Sequence, residues 1–229
     1  MKIGFLGEGF TEGKVKYIDD RVVQLAAKFE PKKVTPFFVE FIKGEFSSID
    51  ASVIIKERLF DFLFQDIEKL DSRLSKTESP EEKELLKKCL SALEKEIPLC
   101  NVDFTEKEKE VLRVLAPVSF KPVLAVSEGE NINSVISKIL KVSGTVFFYT
   151  AGKKEVRAWP VRKGLDIVSC AGKIHSDLAR GFIKADVINF DKFISFHNMN
   201  EAKAKGLVSS VGREYMIQDG DIIEIKFNV

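Results

Sequence analysis

The 229 residues carry 36 Lys plus Arg against 35 Asp plus Glu, a formal net charge of +1, with 45% hydrophobic and 31% charged residues. That balance fits one large globular domain or two small ones, and excludes a disordered or collagen-like polymer and a protein that coats nucleic acid by bulk charge alone. Cys89, Cys100 and Cys170 form no CxxC pair, which argues against a disulfide framework and a four-thiolate zinc site and fits a reducing cytoplasm. No run of 18 apolar residues is present to cross a bilayer, and Met1–Phe10 is too short and too weakly apolar for a signal segment.

In chain order, Lys2–Leu6 reads as a strand entering a glycine turn at Gly7 and Gly9, and the apolar positions after Asp20 suit a helix ending before Pro31. Phe37–Ile42 reads as a buried strand; Val53–Ile55 fits a strand or a helix start. Leu63, Ile67, Leu70 and Leu74, then Leu86, Leu90, Leu93 and Ile97, repeat a 4, 3, 4 spacing that lays each set along one helix stripe. Two matching stripes predict an antiparallel helical hairpin turning at Ser75–Ser79, with Ser79 as N-cap, Pro80 in the first helical position and Glu82 closing a capping box. Glu84 with Lys88 is an expected pair on its exposed face. Thr105 and Glu108 predict another capping box and a third helix, followed by a strand at Val123–Val126 and a helix through Val135–Leu140.

After Ser143-Gly144 the pattern changes to short β-branched or aromatic runs, which places a domain boundary near residue 145. Strands are expected at Val146–Tyr149, Val156–Val161, Lys184–Ile188, Glu214–Ile217 and Ile222–Phe227, with one helix around Val168–Leu178: a small α+β, β-grasp-like module.

Gly7–Val15 is the first place to look for phosphate binding. A P-loop needs four residues between its glycines, then Lys and a Ser or Thr hydroxyl for magnesium; here five residues separate Gly7 from Gly13, and Val15 follows Lys14. A glycine-rich turn explains the stretch without a ligand. Asp19 and Asp20 read as helix caps, and His175 beside Asp177 as a structural hydrogen bond. Lys153, Lys154, Arg157, Arg162 and Lys163 cluster with Tyr149 and Trp159, a combination in which cations position phosphates and exposed aromatics stack on unpaired bases.

The blocks Phe148–Trp159 (FYTAGKKEVRAW), Gly172–Asp177, Arg180–Ala185 and Glu214–Asp221 strongly resemble the end of YchF-type proteins, Obg-related P-loop ATPases associated with ribosomes. The resemblance implies an α/β fold: a reduced P-loop NTPase-like domain over residues 1–144, with the helical-hairpin arm at about 57–99, then a β-grasp-like TGS domain over 145–229. Fragments of the first part are similar too, including Glu12–Val22, Phe29–Pro36 and Val39–Ile42. Lys43-Gly44-Glu45, however, stands where the family has an aspartate, alanine and glycine signature. Lys121–Glu128 lacks the family's asparagine, which leaves Ser127 and Glu128 as the inherited base-site residues. The implied protein is a shortened paralogue without phosphate and magnesium chemistry. It is expected to be no enzyme and to need no cofactor, serving as a nonhydrolytic docking module for ribosome, RNA or protein. The alternative is a weak ATP- or GTP-binding regulator using Lys14 near phosphate and Ser127 with Glu128 near the base, without a magnesium site.

Overall fold

The computed structural model describes residues 1–228, so Val229, the end of the 145–229 range, lies outside the described residues. In chain order the first elements are β1 (Lys2–Leu6), β2 (Gly13–Tyr17), α1 (Asp20–Phe29), β3 (Lys33–Thr35), β4 (Phe37–Lys43), β5 (Ala51–Ile55), α2 (Leu59–Leu74), α3 (Pro80–Leu93), α4 (Glu106–Leu115), β6 (Val123–Val126) and α5 (Ile132–Val142). Then come β7 (Thr145–Ala151), β8 (Glu155–Arg162), α6 (Ile167–Ile174), α7 (Ser176–Arg180), β9 (Phe182–Asn189), α8 (Phe190–Phe193), α9 (Met199–Ala204), β10 (Ser209–Val211) and β11 (Asp221–Phe227). The chain forms two compact units, one of Met1–Val15 with Phe38–Ser143, the other of Lys16–Phe37 with the residues from Gly144 onward. A continuous 1–144 domain therefore does not describe the molecule: the chain leaves the first unit at Lys16 and returns at Phe38.

The first unit is built on a sheet in the order β2-β4-β1-β5-β6, in which β4, β1, β5 and β6 run parallel. All five residues of β5 are buried, as expected of a central parallel strand covered on both faces. The helical hairpin forms as its spacing dictates, with Leu63, Leu70, Leu86, Cys89 and Leu93 all fully buried in one cluster. Its second helix starts on the Ser79 side chain, which accepts from the Glu82 N–H. The expected capping box is only half made, because the Glu82 carboxylate takes a two-pronged bond from Arg73 at 2.7 and 3.0 Å and a further one from Thr77. Lys88 likewise turns from Glu84 to Glu108, 3.0 Å away. The box at Thr105 and Glu108 is complete.

The second unit carries a six-stranded sheet, β10-β9-β11-β7-β8-β3. Strands β7 and β8 form a register-true antiparallel hairpin, β9 pairs antiparallel with β11, and β3 adds in parallel to the outer edge of β8. Alternation along β7 sorts its side chains between two layers. Phe148 packs with Ile167, Cys170 and Ala171 of α6, while Phe147 and Tyr149 face the other way, toward Tyr17, Phe37 and Asp19. The expected single helix is broken: α6 ends at His175, whose extended backbone and ring nitrogen cap α7. Glu214–Ile217 is not a strand, contributing only an isolated bridge from Met216 to Asp166.

Candidate functional site

Parallel α/β sheets offer ligands the crevice beyond the carboxyl ends of their strands. At that end of the first unit lie the Gly7–Gly9 turn after β1, Lys43 at the end of β4, and Ser127 with Glu128 after β6, the last two exposed. Gly7 has a geometric reason to be glycine: its φ is +117°, and a Cβ there would lie 2.3 Å from Ile55 Cγ1. The turn leads into β2 rather than into a helix. Lys14 is exposed on β2, and four strand spacings, roughly 19 Å at ~4.8 Å each, separate it laterally from Ser127 and Glu128. These three residues are not brought together. Among the described residues no group of three or more His, Cys, Asp or Glu is placed to hold a metal, and no helix is long and apolar enough to cross a membrane.

In the second unit the cations separate into two groups. Lys153 and Lys154 are exposed at the β7–β8 turn with Arg157 nearby on β8, whereas Arg162 and Lys163 are exposed at the far end of β8, seven residue steps or roughly 23 Å from the turn. The structure brings to the turn two cations that local sequence did not suggest. The Lys32 N–H donates to the Lys153 carbonyl at 3.1 Å, and Lys33, on β3, pairs with Glu155 at 3.2 Å. The signal was a Lys-Lys edge strand, but its partner lies about 120 residues along the chain.

Tyr149 and Trp159 are corrected by burial. Tyr149 is fully buried and Trp159 is 8% exposed, stacked on Phe148 with the Arg157 guanidinium 3.7 Å above its ring centroid. Neither ring has a free face for a base. Tyr149 instead donates to Asp19 Oδ2 at 2.5 Å, beneath Arg21, which bridges Asp19 at 3.3 Å and Asp219 at 2.8 Å. Burial, then the Asp19 charge, pushes the phenol far above its ordinary range. Burial opposes the Arg21 charge, but the Asp219 hydrogen bond and the surrounding anions outweigh it and hold the guanidinium protonated. These groups form a structural knot, not a reactive one. The thiols are also quiet: burial pushes Cys89 and Cys170 up to about 12. His175 accepts the Asp177 N–H at 3.1 Å as a cap, and His197 is exposed.

A mixed α/β, P-loop-like fold with separate sheets defines the class. Residues 146–228 match the family model YchF-GTPase_C, described as "Protein of unknown function (DUF933)". Curated relatives include "Ribosome-binding ATPase YchF" of Mycoplasma genitalium, 39% identical over 135 residues covering 59% of this chain and 36% of that protein. The Bacillus subtilis protein of the same name is 27% identical, covering 97% of this chain and 78% of its own length. "Obg-like ATPase 1" of Danio rerio is 45% identical over 105 residues, 44% of this chain and 26% of that one. The structure of the Schizosaccharomyces pombe YchF GTPase superposes with a TM-score of 0.76 over 99% of this chain and 97% of its own, at 15% identity, which speaks for the fold. The chain is therefore similar in sequence to YchF and Obg-like ATPases and in fold to a YchF GTPase. The chain thus spans about a third of the length of one such relative and 78% of another.

The expectation that the chain is no enzyme is overturned by these comparisons. The relatives that the chain matches are named ATPases.

Proposed function

We propose that this protein is a cytoplasmic, ribosome-binding member of the YchF ATPase kind, in which the first unit handles the nucleotide and the second supplies contacts to ribosomal RNA. The observation that carries the reading is the 39% identity, over 59% of the chain, to a protein named as a ribosome-binding ATPase. The TGS, β-grasp-like character of the second unit belongs to the same proposal. Its support is the hairpin-and-helix order β7-β8-α6 with β11 returning parallel to β7.

For the nucleotide, the proposed region is the carboxyl end of the parallel sheet, where the Gly7–Gly9 turn and the Ser127-Glu128 loop meet solvent two strand spacings apart. Lys14, on the far edge strand, would serve a phosphate only from outside that crevice. For RNA, Lys153, Lys154 and Arg157 form no ion pair with a carboxylate among the described residues, and Lys32 lies beside them. Arg162 and Lys163 form a second contact point at the other end of β8. Cations left unpaired at a hairpin turn suit phosphate contacts, which fix position without reading sequence.

The test is cosedimentation with ribosomes, with and without nuclease, run beside magnesium-dependent ATP and GTP turnover in the presence and absence of ribosomes. Ribosome binding weakened at least tenfold by K153E/K154E/R157E, with native folding retained, fits the proposal; an unchanged pellet removes the hairpin from it. Turnover no greater than a protein-free blank, in every condition, refutes the nucleotide half.

A further inference from the structure

The second unit is assembled from two stretches of chain far apart in sequence, Lys16–Phe37 and the residues from Gly144 onward. The later stretch has a core of its own: the cluster around Phe148, Ile167, Cys170 and Ile223 takes no residue from the earlier one. The earlier stretch docks from outside. Helix α1 lies across β7 and β8 on one face, burying Val22 and Leu25, and β3 adds to the outer edge of β8. No strand of it is therefore threaded between two strands of the later stretch. Side-chain pairs across the docking surface join Asp19 to Tyr149, Arg21 to Asp219, Phe29 to Phe193 and Lys33 to Glu155. Between the two stretches the chain passes through the rest of the first unit and re-enters the second at Ser143-Gly144, two residues between the end of α5 and the start of β7. Gly144 has a φ of +65°, and a Cβ there would meet nothing within 4 Å, so the turn asks for glycine by its backbone angle alone.

We propose that two copies of this chain exchange their carboxyl-terminal modules about the Ser143-Gly144 hinge, the Lys16–Phe37 segment of each copy receiving the residues from Gly144 onward of the other. The structure itself fixes the occupant of the docking face. The surface that fits Phe147, Tyr149 and Phe193 is the chain's own Lys16–Phe37 segment, and a second copy carries the same segment. Every docking contact made within one chain re-forms between two, so the closed and exchanged forms differ in the hinge and in the entropy of association. A module docked by one face and one edge can lift off as a single body, and short hinges invite exchange. The exchange is reciprocal, so two copies close on each other with two-fold symmetry and leave no docking face open. In the exchanged pair Lys32 and Lys33 of one copy lie beside Lys153 and Lys154 of the other, and the cations of each β7–β8 turn come from both chains.

The experiment mixes equal amounts of light and isotope-labelled full-length protein in urea, refolds the mixture at a series of protein concentrations, and separates monomer from dimer by size exclusion. A carbodiimide then joins Lys33 to Glu155, whose charged groups are 3.2 Å apart, and the linked peptides are identified by mass. The dimer fraction should rise with the concentration at refolding. In the dimer about half of the Lys33–Glu155 linked peptides should join one light and one heavy half, as random pairing of two labels in a reciprocal exchange requires, whereas those of the monomer should carry one label. Gly144→Val should raise the dimer fraction about fivefold, because a β-branched residue resists the positive φ of the closed turn and an opened hinge is free to extend. Lys33→Glu and Glu155→Lys, each placing like charges across the pair when alone, should form more dimer when mixed, since exchange pairs opposite charges at both junctions. Monomer at every concentration, a dimer whose linked peptides all carry one label, or no gain of dimer on mixing the two charge variants overturns the proposal. An unchanged dimer fraction in Gly144→Val also overturns it, by removing the hinge.

Discussion

The Tyr149 hydroxyl and the Asp19 carboxylate, 130 residues apart in sequence, meet in a 2.5 Å hydrogen bond inside the second unit. Asp19 is 7% exposed, and its other oxygen accepts from the Arg21 N–H and side chain. Removing one partner of a buried charge leaves the other underbonded, which is more costly than the bond is worth in net terms. Tyr149→Phe should therefore destabilise the protein by about 1–3 kcal/mol in urea unfolding, with the m-value unchanged. A change within error of wild type would show that the pair contributes no net stability.

A second buried carboxylate holds the helical arm to the first unit's loops. Asp66 is 1% exposed, and its two oxygens accept the Val118 and Ser119 N–H groups at 2.7 and 2.8 Å, capping a single helical turn at Val118–Phe120. Burial raises its carboxyl above the usual range, with the hydrogen bonds partly offsetting this. Asp66→Ala should cost about 2–4 kcal/mol by orphaning two buried donors, whereas Lys76→Ala, at an exposed site after the same helix, should stay within about 0.5 kcal/mol. Equal midpoints for the two variants would contradict the capping role.

Asp66 also marks where sequence reading stops. Leu63, Leu70, Leu86 and Leu93 announce the hairpin because their partners are three or four residues away on the same stripe. Asp66 lies on that stripe, and an acid at an apolar position was a visible signal of a buried polar contact; its partners, more than 50 residues on, were not visible. The same locality explains the candidate surface. The cations of the β7–β8 turn were legible, but Lys32 and Lys33 join them through a three-residue edge strand whose pairing is entirely nonlocal. Tyr149 and Trp159 sit in the same strands as those cations, and period-2 alternation alone does not say which face a missing element will cover. Here α1, supplied from residues 20–29, covers the Tyr149 side.

The edge strand should make stability respond to acid in a defined direction. The Thr35 hydroxyl's hydrogen bond, then Lys33, hold the Glu155 carboxyl below its ordinary value against a smaller desolvation effect. A depressed folded pKa adds stability above the unfolded pKa of about 4.3, and that increment is lost as pH falls through the folded value. Glu155 is one-third exposed, so the increment should be under about 1 kcal/mol. Glu155→Gln should accordingly be slightly less stable than wild type at pH 7, and the difference should close below about pH 4. A gap that widens on acidification would contradict the assignment of Glu155 as a stabilised carboxylate.

The sharpest consequence of the fold concerns the second unit on its own. Its sequence pattern suggested that residues 145–229 fold independently, but the unit also contains Lys16–Phe37. Without that segment the sheet loses β3 and the Phe147–Tyr149 face loses its cover: Tyr17 stacks on Phe147 at 6.0 Å and Phe37 meets it edge to face at 5.4 Å, Phe29 stacks on Phe193 at 5.9 Å, and Asp19 holds Tyr149. Two phenylalanine rings, Phe147 and Phe193, and the buried Tyr149 phenol would be uncovered in a module too small to spare that area. Residues 145–229 expressed alone should show native-like secondary structure with a broad thermal transition and dye-accessible apolar surface. Adding a synthetic peptide of residues 16–37 in trans should sharpen the transition, and the same peptide carrying Asp19→Ala should do so far less. A sharp transition for the fragment by itself, unaffected by the peptide, would show that the later strands and α6 suffice and that the early segment only decorates them.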